Sequence, residues 1–170
     1  SEALAKEDIL RRVTPKSSVG ATAVKPWGST SLSPTILGLE TSCDETAAAV
    51  LDGTGHIASS VLYSQHEVHG RYGGVVPELA ARRHIETVEA VVVEAMRQAG
   101  IDWADLQAVA VTQGPGLAGA LLVGVSFGKA LAYAGNIPLI GVNHLEGHMA
   151  SAWLDQPDFP LPCVVLVVSG

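Results

Sequence analysis

The fold of this chain is decided by residues 36–53, which read ILGLETSCDETAAAVLDG. Residues 36–40 are largely apolar and residues 46–51 are small or β-branched, so each run predicts a short strand. The Asp-Gly pair that follows predicts a tight reversal into a third strand over residues 56–63. We therefore expect the ordered part of the chain to open with an antiparallel meander.

Downstream of the meander, helical and strand patterns alternate. Pro77 can sit in the first turn of a helix that runs to about residue 98, where Gly100 supplies the stop. The remaining pattern predicts a strand over 108–112, a helix over 117–134, a strand over 139–142, a helix over 143–154 and a strand over 163–168. Adjacent strands followed by this alternation predict an α/β fold, a mixed sheet with helices packed on it.

Composition divides the chain into two parts. Residues 1–34 are rich in Ser, Thr, Gly and Pro and are predicted to be a disordered N-terminal extension, with residues 35–170 as the ordered domain. The extension carries a net charge of +2, so the ordered part carries the difference from the chain's −7, which is −9. An acidic body of this size is not a nucleic-acid-binding surface on its own, so a polynucleotide partner would need basic residues from another domain or subunit.

The apolar runs and the cysteines predict the location of the protein in the cell. Gly, Pro or charge interrupts the apolar runs within about ten residues, so we expect neither a membrane span nor a membrane partner. The two cysteines, Cys43 and Cys163, are expected to be buried free thiols in a reducing compartment. A cytoplasmic location follows, with a mitochondrial or plastid one as the alternative for the extension.

His144 and His148 are the first chemical candidates. They stand four residues apart on a predicted helix, so their side chains are neighbours on one face and can grip one divalent metal ion. The alternative is an ordinary pair of surface histidines. A zinc peptidase of the H-E-x-x-H type is not indicated, because Glu146 lies two residues after His144, about 200° around the helix axis, and points away from the metal face.

The second candidate is the polar turn, residues 41–45. Asp44 and Glu45 lie there beside hydroxyl side chains, where carboxylates can hold a hydrated cation or orient a phosphate. Ordinary turn chemistry is the alternative, because Asp and Ser satisfy backbone amides in many loops.

The third candidate is the glycine turn, residues 113–119, which joins a strand to the start of a long helix. Its exposed amides and the positive helix end suit an anion, with Gly114 and Gly116 as the binding positions. Close packing of helix on sheet is the structural alternative. The turn also satisfies G-x-G-x-x-G, but the meander before it and the lack of an acid near residue 143 disfavour a dinucleotide site. A P-loop is excluded because Ala120 and Leu121 stand where Lys and Ser/Thr are required.

Five motifs, taken in order, resemble one family. They are GLETSCDET at 38–46, YGGVVPELA at 72–80 with Arg82 and His84, GPGL at 114–117, NHLEGH at 143–148 and VVSG at 167–170. Their order and spacing are similar to those of the TsaD family, the tRNA threonylcarbamoyladenosine transferases once described as O-sialoglycoprotein endopeptidases. The resemblance covers residues 35–170.

The resemblance implies the fold of the actin, Hsp70 and sugar-kinase ATPases (ASKHA), of which this chain would be the first, RNase H-like half. It implies transfer of a threonylcarbamoyl group from threonylcarbamoyl-AMP to adenosine 37 of tRNAs that read codons beginning with A. The metal, Fe²⁺ or alternatively Zn²⁺, would be held by His144, His148 and a distant aspartate. The remaining roles would be catalysis by Asp44 and Glu45, and substrate binding by Gly114, Gly116, Val167, Val168, Ser169 and Gly170.

The resemblance also implies what lies beyond this chain. In the family, the motif at 167–170 continues and a second half follows, so we expect a fragment with weak metal binding and no transfer activity. Bacterial relatives work with TsaB and TsaE-like subunits, whereas mitochondrial relatives act as dimers. A metallopeptidase and an actin-like nucleotide-binding module without transfer activity remain the alternative functions.

Overall fold

The computed structural model describes residues 35–156, 158 and 160–167. The described strands are β1 (Ile36–Glu40), β2 (Glu45–Leu51), β3 (Ile57–Ser64), β4 (Ala108–Gly114) and β5 (Leu139–Asn143). The described helices are α1 (His66–His69), α2 (Pro77–Ala99), α3 (Ala118–Gly135) and α4 (His144–Asp155), with 3-10 turns at Gly70–Tyr72 and Trp103–Asp105. The predicted disordered extension, residues 1–34, lies outside the described residues.

The strands form one mixed sheet in the order β3-β2-β1-β4-β5. β1 pairs antiparallel with β2, and β2 with β3, as short hairpin connections require. β4 pairs parallel with β1 and with β5, because α2 and α3 carry the chain back across the sheet. The predicted α/β fold with an opening meander is confirmed.

The hydrophobic core lies between the sheet and the helices α2 and α3. Alternate residues of a strand point to opposite faces, and Leu37 and Leu39 of β1 lie on the same face as Val109 and Val111 of β4, in the core. The fully buried members of this core include Leu37, Val50, Val91, Val92, Val109 and Val111. The opposite face carries Gly38, Ala47, Ala49 and Ala110, which line an open cavity of about 260 Å³ that α4 borders.

The helix ends follow local chemistry. Pro77 begins α2, and Gly100 ends it with a φ of 68°, which glycine adopts without strain. Asn143 begins α4, because its side-chain oxygen accepts hydrogen bonds from the amides of Leu145 and Glu146. This cap places His144 in the first turn of α4, directly after the end of β5.

The predicted strand over residues 163–168 is wrong for residues 163–167, which have no regular secondary structure. Residue 168 lies outside the described residues. The apolar pattern favoured a strand, but a strand also needs hydrogen bonds to a neighbouring strand, and none of the described strands pairs with this segment. Val164 is fully exposed and Leu166 is 84% exposed, so the segment contributes little to the core.

The expectation that no segment could span a membrane needs a correction. Helix α3, Ala118–Gly135, has 18 residues and a mean hydropathy of 1.3, which by length and composition would suffice to cross a membrane. Glycine does not interrupt this helix, because Gly124 and Gly128 lie within it and face its packing partners. The helix packs on β1, β4 and β5 and on α2, with 22% of its residues buried, and one such helix is weak evidence for a membrane span.

Candidate functional site

The polar turn (residues 41–45) is held against helix α3. Thr41 and Ser42 are buried, although both are polar. The hydroxyl of Thr41 donates to the carbonyl of Ala120, 2.9 Å away in the first turn of α3. Because a buried hydroxyl without a partner is costly, this bond fixes the turn over the start of the helix.

The glycine turn (residues 113–119) packs directly on the polar turn. The amide of Leu117 donates to the carbonyl of Ser42 at 2.8 Å. A Cβ atom at Gly116 would lie 2.6 Å from that same oxygen, so the close approach requires glycine. The amide of Leu117 is therefore already paired, whereas the amides of residues 118–120, in the first turn of α3, have no acceptor within the helix.

Helix α4 starts beside both turns. Gly114 at the end of β4 is paired with Asn143, the residue that caps α4. Ser42 lies close to the first histidine of the helix, with 3.2 Å between its Oγ and Nδ1 of His144. The structure therefore brings His144, the glycine turn and the start of the polar turn into one site.

His144 and His148 converge in space as their spacing predicts. Their Nε2 atoms are 3.0 Å apart, and the rings meet edge to face with centroids separated by 4.4 Å. Two imidazole nitrogens this close repel unless a proton or a cation lies between their lone pairs. The pair is accessible, since His148 is exposed and the His144 side chain is 28% exposed.

The side chains of Glu40 and Ser42 both lie within hydrogen-bond distance of the other ring nitrogen of His144, Nδ1. Nδ1 lies 3.3 Å from Oε2 of Glu40, the last residue of β1. Burial raises the pKa of the Glu40 carboxyl, but hydrogen bonds from Ser42, Thr112 and His144 outweigh it and lower the pKa below its usual value. Glu40 is therefore a carboxylate at neutral pH, held beside the ring.

This arrangement fits a divalent metal ion. Imidazole nitrogens coordinate zinc at about 2.1 Å, so two ligands of one ion can be at most about 4.2 Å apart, and the observed separation of 3.0 Å lies within this limit. Within the described residues, no group of three His, Cys, Asp or Glu side chains is placed to hold an ion. The histidine pair therefore offers two ligands, and a third would come from outside the described residues.

The predicted catalytic carboxylates stand at the far end of the polar turn. Asp44 is partly buried, and its carbonyl accepts from the amide of Gln65. Glu45 is exposed and is the first residue of β2. Within the described part of the chain, neither forms a hydrogen bond to the histidine pair, and the backbone through Ser42 is what connects them to it.

Cys43 is a free thiol, as expected, but it is exposed and not buried. Partial loss of water around the thiol, together with the neighbouring Asp44, raises the pKa of Cys43. Cys163 is also free and is partly buried. The apolar runs beside the two cysteines suggested burial, but Cys43 lies in the polar turn, where the chain leaves the sheet.

A second group of polar side chains anchors the polar turn from the side of α2. His84 is fully buried; its Nε2 donates to the carbonyl of Cys43 at 3.0 Å, and its Nδ1 accepts from the hydroxyl of Thr46 at 2.8 Å. Burial lowers the pKa of His84 below its usual value, so the ring is neutral. His69 is similarly enclosed, between the side chain of Gln65 and the amide of Val76.

The last predicted site residues are at positions 167–170. Val167 belongs to the irregular segment, and Val168, Ser169 and Gly170 lie outside the described residues. Their predicted contact with the adenylate stays a prediction.

Sequence reasoning missed Glu40 as a member of the site and Thr112 as the residue that hydrogen-bonds it. The available signal was a single carboxylate at the end of an apolar strand, where burial would demand partners. Only the register of the sheet shows which partners it has, because β1 and β4 are adjacent in space and far apart in sequence.

The comparisons with known proteins identify the family of the chain. Residues 56–170 match the family model described as TsaD, tRNA N6-adenosine threonylcarbamoyltransferase. A protein of that description from Syntrophobacter fumaroxidans is 56% identical over 135 residues, and one from Pelobacter propionicus is 53% identical over the same length. These alignments cover 79% of this chain but 40% and 39% of the relatives, so the chain spans about two-fifths of their length.

Among solved structures, YeaZ from Pseudomonas aeruginosa has a TM-score of 0.54 over 73% of this chain and 50% of its own. At 21% identity, this likeness shows a shared fold and no more. The family model, in contrast, matches well over half of the chain, and its description is that of the two bacterial relatives. The chain therefore belongs to the TsaD family of tRNA N6-adenosine threonylcarbamoyltransferases.

Proposed function

We propose that the protein to which this chain belongs transfers the threonylcarbamoyl group of threonylcarbamoyl-AMP to the N6 amine of adenosine 37 in tRNAs that read codons beginning with A. The observation that carries this proposal is the convergence of the histidine pair, the glycine turn and the polar turn at one edge of the sheet. Acyl transfer from an adenylate needs a polarised carbonyl, a site for the leaving phosphate and a proton acceptor, and these three features can supply one each.

The polarising group would be one divalent metal ion held by His144 and His148, Fe²⁺ or alternatively Zn²⁺. The separation of the two Nε2 atoms and their accessibility support this assignment. Such an ion supplies Lewis acidity at the carbonyl oxygen of the transferred group. The described residues would contribute two of its ligands, His144 and His148.

The leaving phosphate would be received at the start of α3. Residues 118–120 provide unpaired amides at the positive end of an 18-residue helix. Gly116 keeps the turn that leads into this helix closed on Ser42. Gly114 ends β4 beside this turn, and residues 167–170 would complete the contact with the adenylate.

Asp44 or Glu45 would accept the proton that the attacking amine loses. A carboxylate is a suitable base for this step, and general bases contribute about 100-fold to 10,000-fold in rate. The buried contacts of the polar turn would hold the base in place during the reaction.

The test is single-turnover transfer by the full-length protein, with threonylcarbamoyl-AMP and unmodified tRNA supplied and the modified nucleoside measured after digestion. We expect His148→Ala to abolish transfer and either Asp44→Asn or Glu45→Gln to slow it by at least about 100-fold. Glu86→Gln is the control, since Glu86 is an exposed carboxylate paired with Arg83 on α2.

Three outcomes would contradict the proposal. Unchanged rates in both carboxylate variants would dismiss the proton-acceptor role. Chelator-sensitive cleavage of a glycoprotein without any product on tRNA would favour a metallopeptidase. ATP hydrolysis without a tRNA product would favour a nucleotide-binding module of the actin type.

The expected partners follow from the same proposal. The acidic charge of the chain means that tRNA would be held by basic residues of the remaining protein or of TsaB and TsaE-like subunits. A cytoplasmic location is the corresponding expectation. Co-purification of a tagged full-length protein with such subunits, with and without tRNA, would test the partner set.

A further inference from the structure

Glu40 is a carboxylate whose two oxygens are both engaged. Its Oε1 accepts from the amide of Ser42 at 2.5 Å, and its Oε2 accepts from the hydroxyl of Thr112 at 2.5 Å. The same Oε2 faces Nδ1 of His144 at 3.3 Å. The side chain is 33% exposed, so most of it is withdrawn from water and depends on these partners.

The chemistry of the partners decides where the proton of a neutral His144 lies. A carboxylate can only accept hydrogen bonds, and the hydroxyl of Ser42, 3.2 Å from the same ring nitrogen, can accept as well as donate, so both partners are satisfied when that nitrogen carries the hydrogen. Nδ1 is then the protonated nitrogen, and the lone pair of the ring is on Nε2. That atom faces Nε2 of His148 at 3.0 Å, on the side where a shared cation would bind.

We propose that Glu40 is a positioning residue that holds the proton of His144 on Nδ1 and orients the ring, so that Nε2 is free to coordinate the divalent metal ion. The inference rests on the metal site of the proposed function. Carboxylates that bind the second nitrogen of a metal-bound histidine fix its tautomer and raise its basicity, and their loss typically weakens metal binding about 10-fold to 100-fold.

Glu40→Gln is the variant that separates this role from a merely structural one. The amide has the shape of the carboxylate, and its oxygen can still accept from the amide of Ser42. Its NH₂ group would face Nδ1 of His144 as a donor, which favours the tautomer with hydrogen on Nε2. The substitution therefore preserves packing but blocks the metal-binding nitrogen.

The matched control is Thr112→Val, which removes another hydrogen bond from the same oxygen of Glu40. It leaves the carboxylate facing the ring, so the tautomer should not change. A role of Glu40 in holding β1 to β4 would be weakened about equally by both variants, whereas a role in orienting His144 would be lost only in Glu40→Gln.

The experiment uses the full-length protein and two measurements. The first is the affinity for Co²⁺ and Zn²⁺, measured by absorption and by competition with a chelator. We expect a loss of about 10-fold to 100-fold in Glu40→Gln and less than threefold in Thr112→Val. The second is the tautomer of His144 in the metal-free protein, read from long-range ¹H–¹⁵N spectra of histidine-labelled samples. We expect hydrogen on Nδ1 in the parent protein and on Nε2 in Glu40→Gln.

The outcomes distinguish this inference from the proposed metal site. If His144→Ala and His148→Ala bind the metals as tightly as the parent protein, the site itself is wrong. If those variants lose the metal but Glu40→Gln keeps both affinity and tautomer, the site stands and the inference falls. Should Glu40→Gln fail to fold, hydrogen on Nε2 of His144 in the metal-free parent protein would still overturn the inference.

Discussion

His84 and His144 contact neighbouring residues of the polar turn but differ in their burial and in the partners of their ring nitrogens. His84 donates to the carbonyl of Cys43, and His144 lies 3.2 Å from the hydroxyl of Ser42. His84 is fully buried, and both of its nitrogens have partners within the protein. The side chain of His144 is 28% exposed, and its Nε2 meets another imidazole.

The difference separates a structural histidine from one available to a ligand. A buried ring with both nitrogens satisfied can neither bind a metal nor change its charge without breaking the fold. An accessible ring with one nitrogen oriented by a carboxylate retains a lone pair for coordination. The polar turn is therefore anchored on the α2 side, and on the α4 side it borders a histidine that a ligand can reach.

Replacing His84 should give the largest effect on stability. His84→Ala leaves a cavity and removes the partner of the Cys43 carbonyl and of the Thr46 hydroxyl, so we expect the free energy of unfolding to fall by about 3–5 kcal/mol. Urea unfolding of the full-length protein, followed by circular dichroism, measures this change. A loss below about 1 kcal/mol would mean that the His84 ring does not hold the polar turn against α2.

Two glycines near the site should respond in opposite directions when a methyl group is added. In Gly116→Ala the new Cβ would lie 2.6 Å from the carbonyl oxygen of Ser42, so we expect a loss of about 1–3 kcal/mol. Gly147, within α4, has no atom within 4 Å of an added Cβ, and Gly147→Ala should raise stability by about 0.5–1 kcal/mol. The same unfolding measurement tests both, and equal signs would contradict the packing of the glycine turn on the polar turn.

Most of the fold could be predicted from local sequence patterns. Periodicity located the first five strands, and Pro77, Gly100 and Asn143 fixed the helix ends through local chemistry. The strand predicted over residues 163–168 is absent from residues 163–167, because apolar residues indicate burial or pairing without supplying a partner strand. The uninterrupted apolar length of helix α3 was also not predicted, because its glycines are packing positions within the helix and do not end it.

The candidate site was predictable only where its residues are close in sequence. His144 and His148 are one helical turn apart, so their convergence follows from helix geometry. The contact between Glu40 and His144 spans 104 positions and depends on β1 lying next to β4. No local pattern encodes that pairing, and the roles of both Glu40 and Ser42 became visible only in three dimensions.

Acidification should weaken the anchored side of the turn. Burial lowers the pKa of His84 in the folded protein below the 6.5 of an ordinary histidine. At a pH between the folded pKa and 6.5, the unfolded chain therefore binds a proton that the folded chain does not. The contribution is fully present above pH 6.5 and is lost as the pH falls through the folded pKa. We expect a drop with a slope of at most about 1.4 kcal/mol per pH unit, which His84→Gln removes.

Urea unfolding at a series of pH values between 7.5 and 5 would measure this slope. His66→Gln is the matched control, because His66 is an exposed histidine in the neighbouring helix α1. If the slope below pH 6.5 is the same in His84→Gln as in the parent protein, the buried ring is not the group that titrates.

Replacing His148 should change stability least. The side chain is exposed and its ring contacts are with His144, so we expect His148→Ala to alter the free energy of unfolding by less than about 0.5 kcal/mol without metal. The same variant should lose the stabilisation that bound metal adds, which is about 2.7 kcal/mol at a concentration 100 times the dissociation constant. Unfolding with and without saturating Zn²⁺ separates the two effects. A large loss of stability in the metal-free variant would make His148 a structural residue like His84 and remove the distinction between the two sides of the turn.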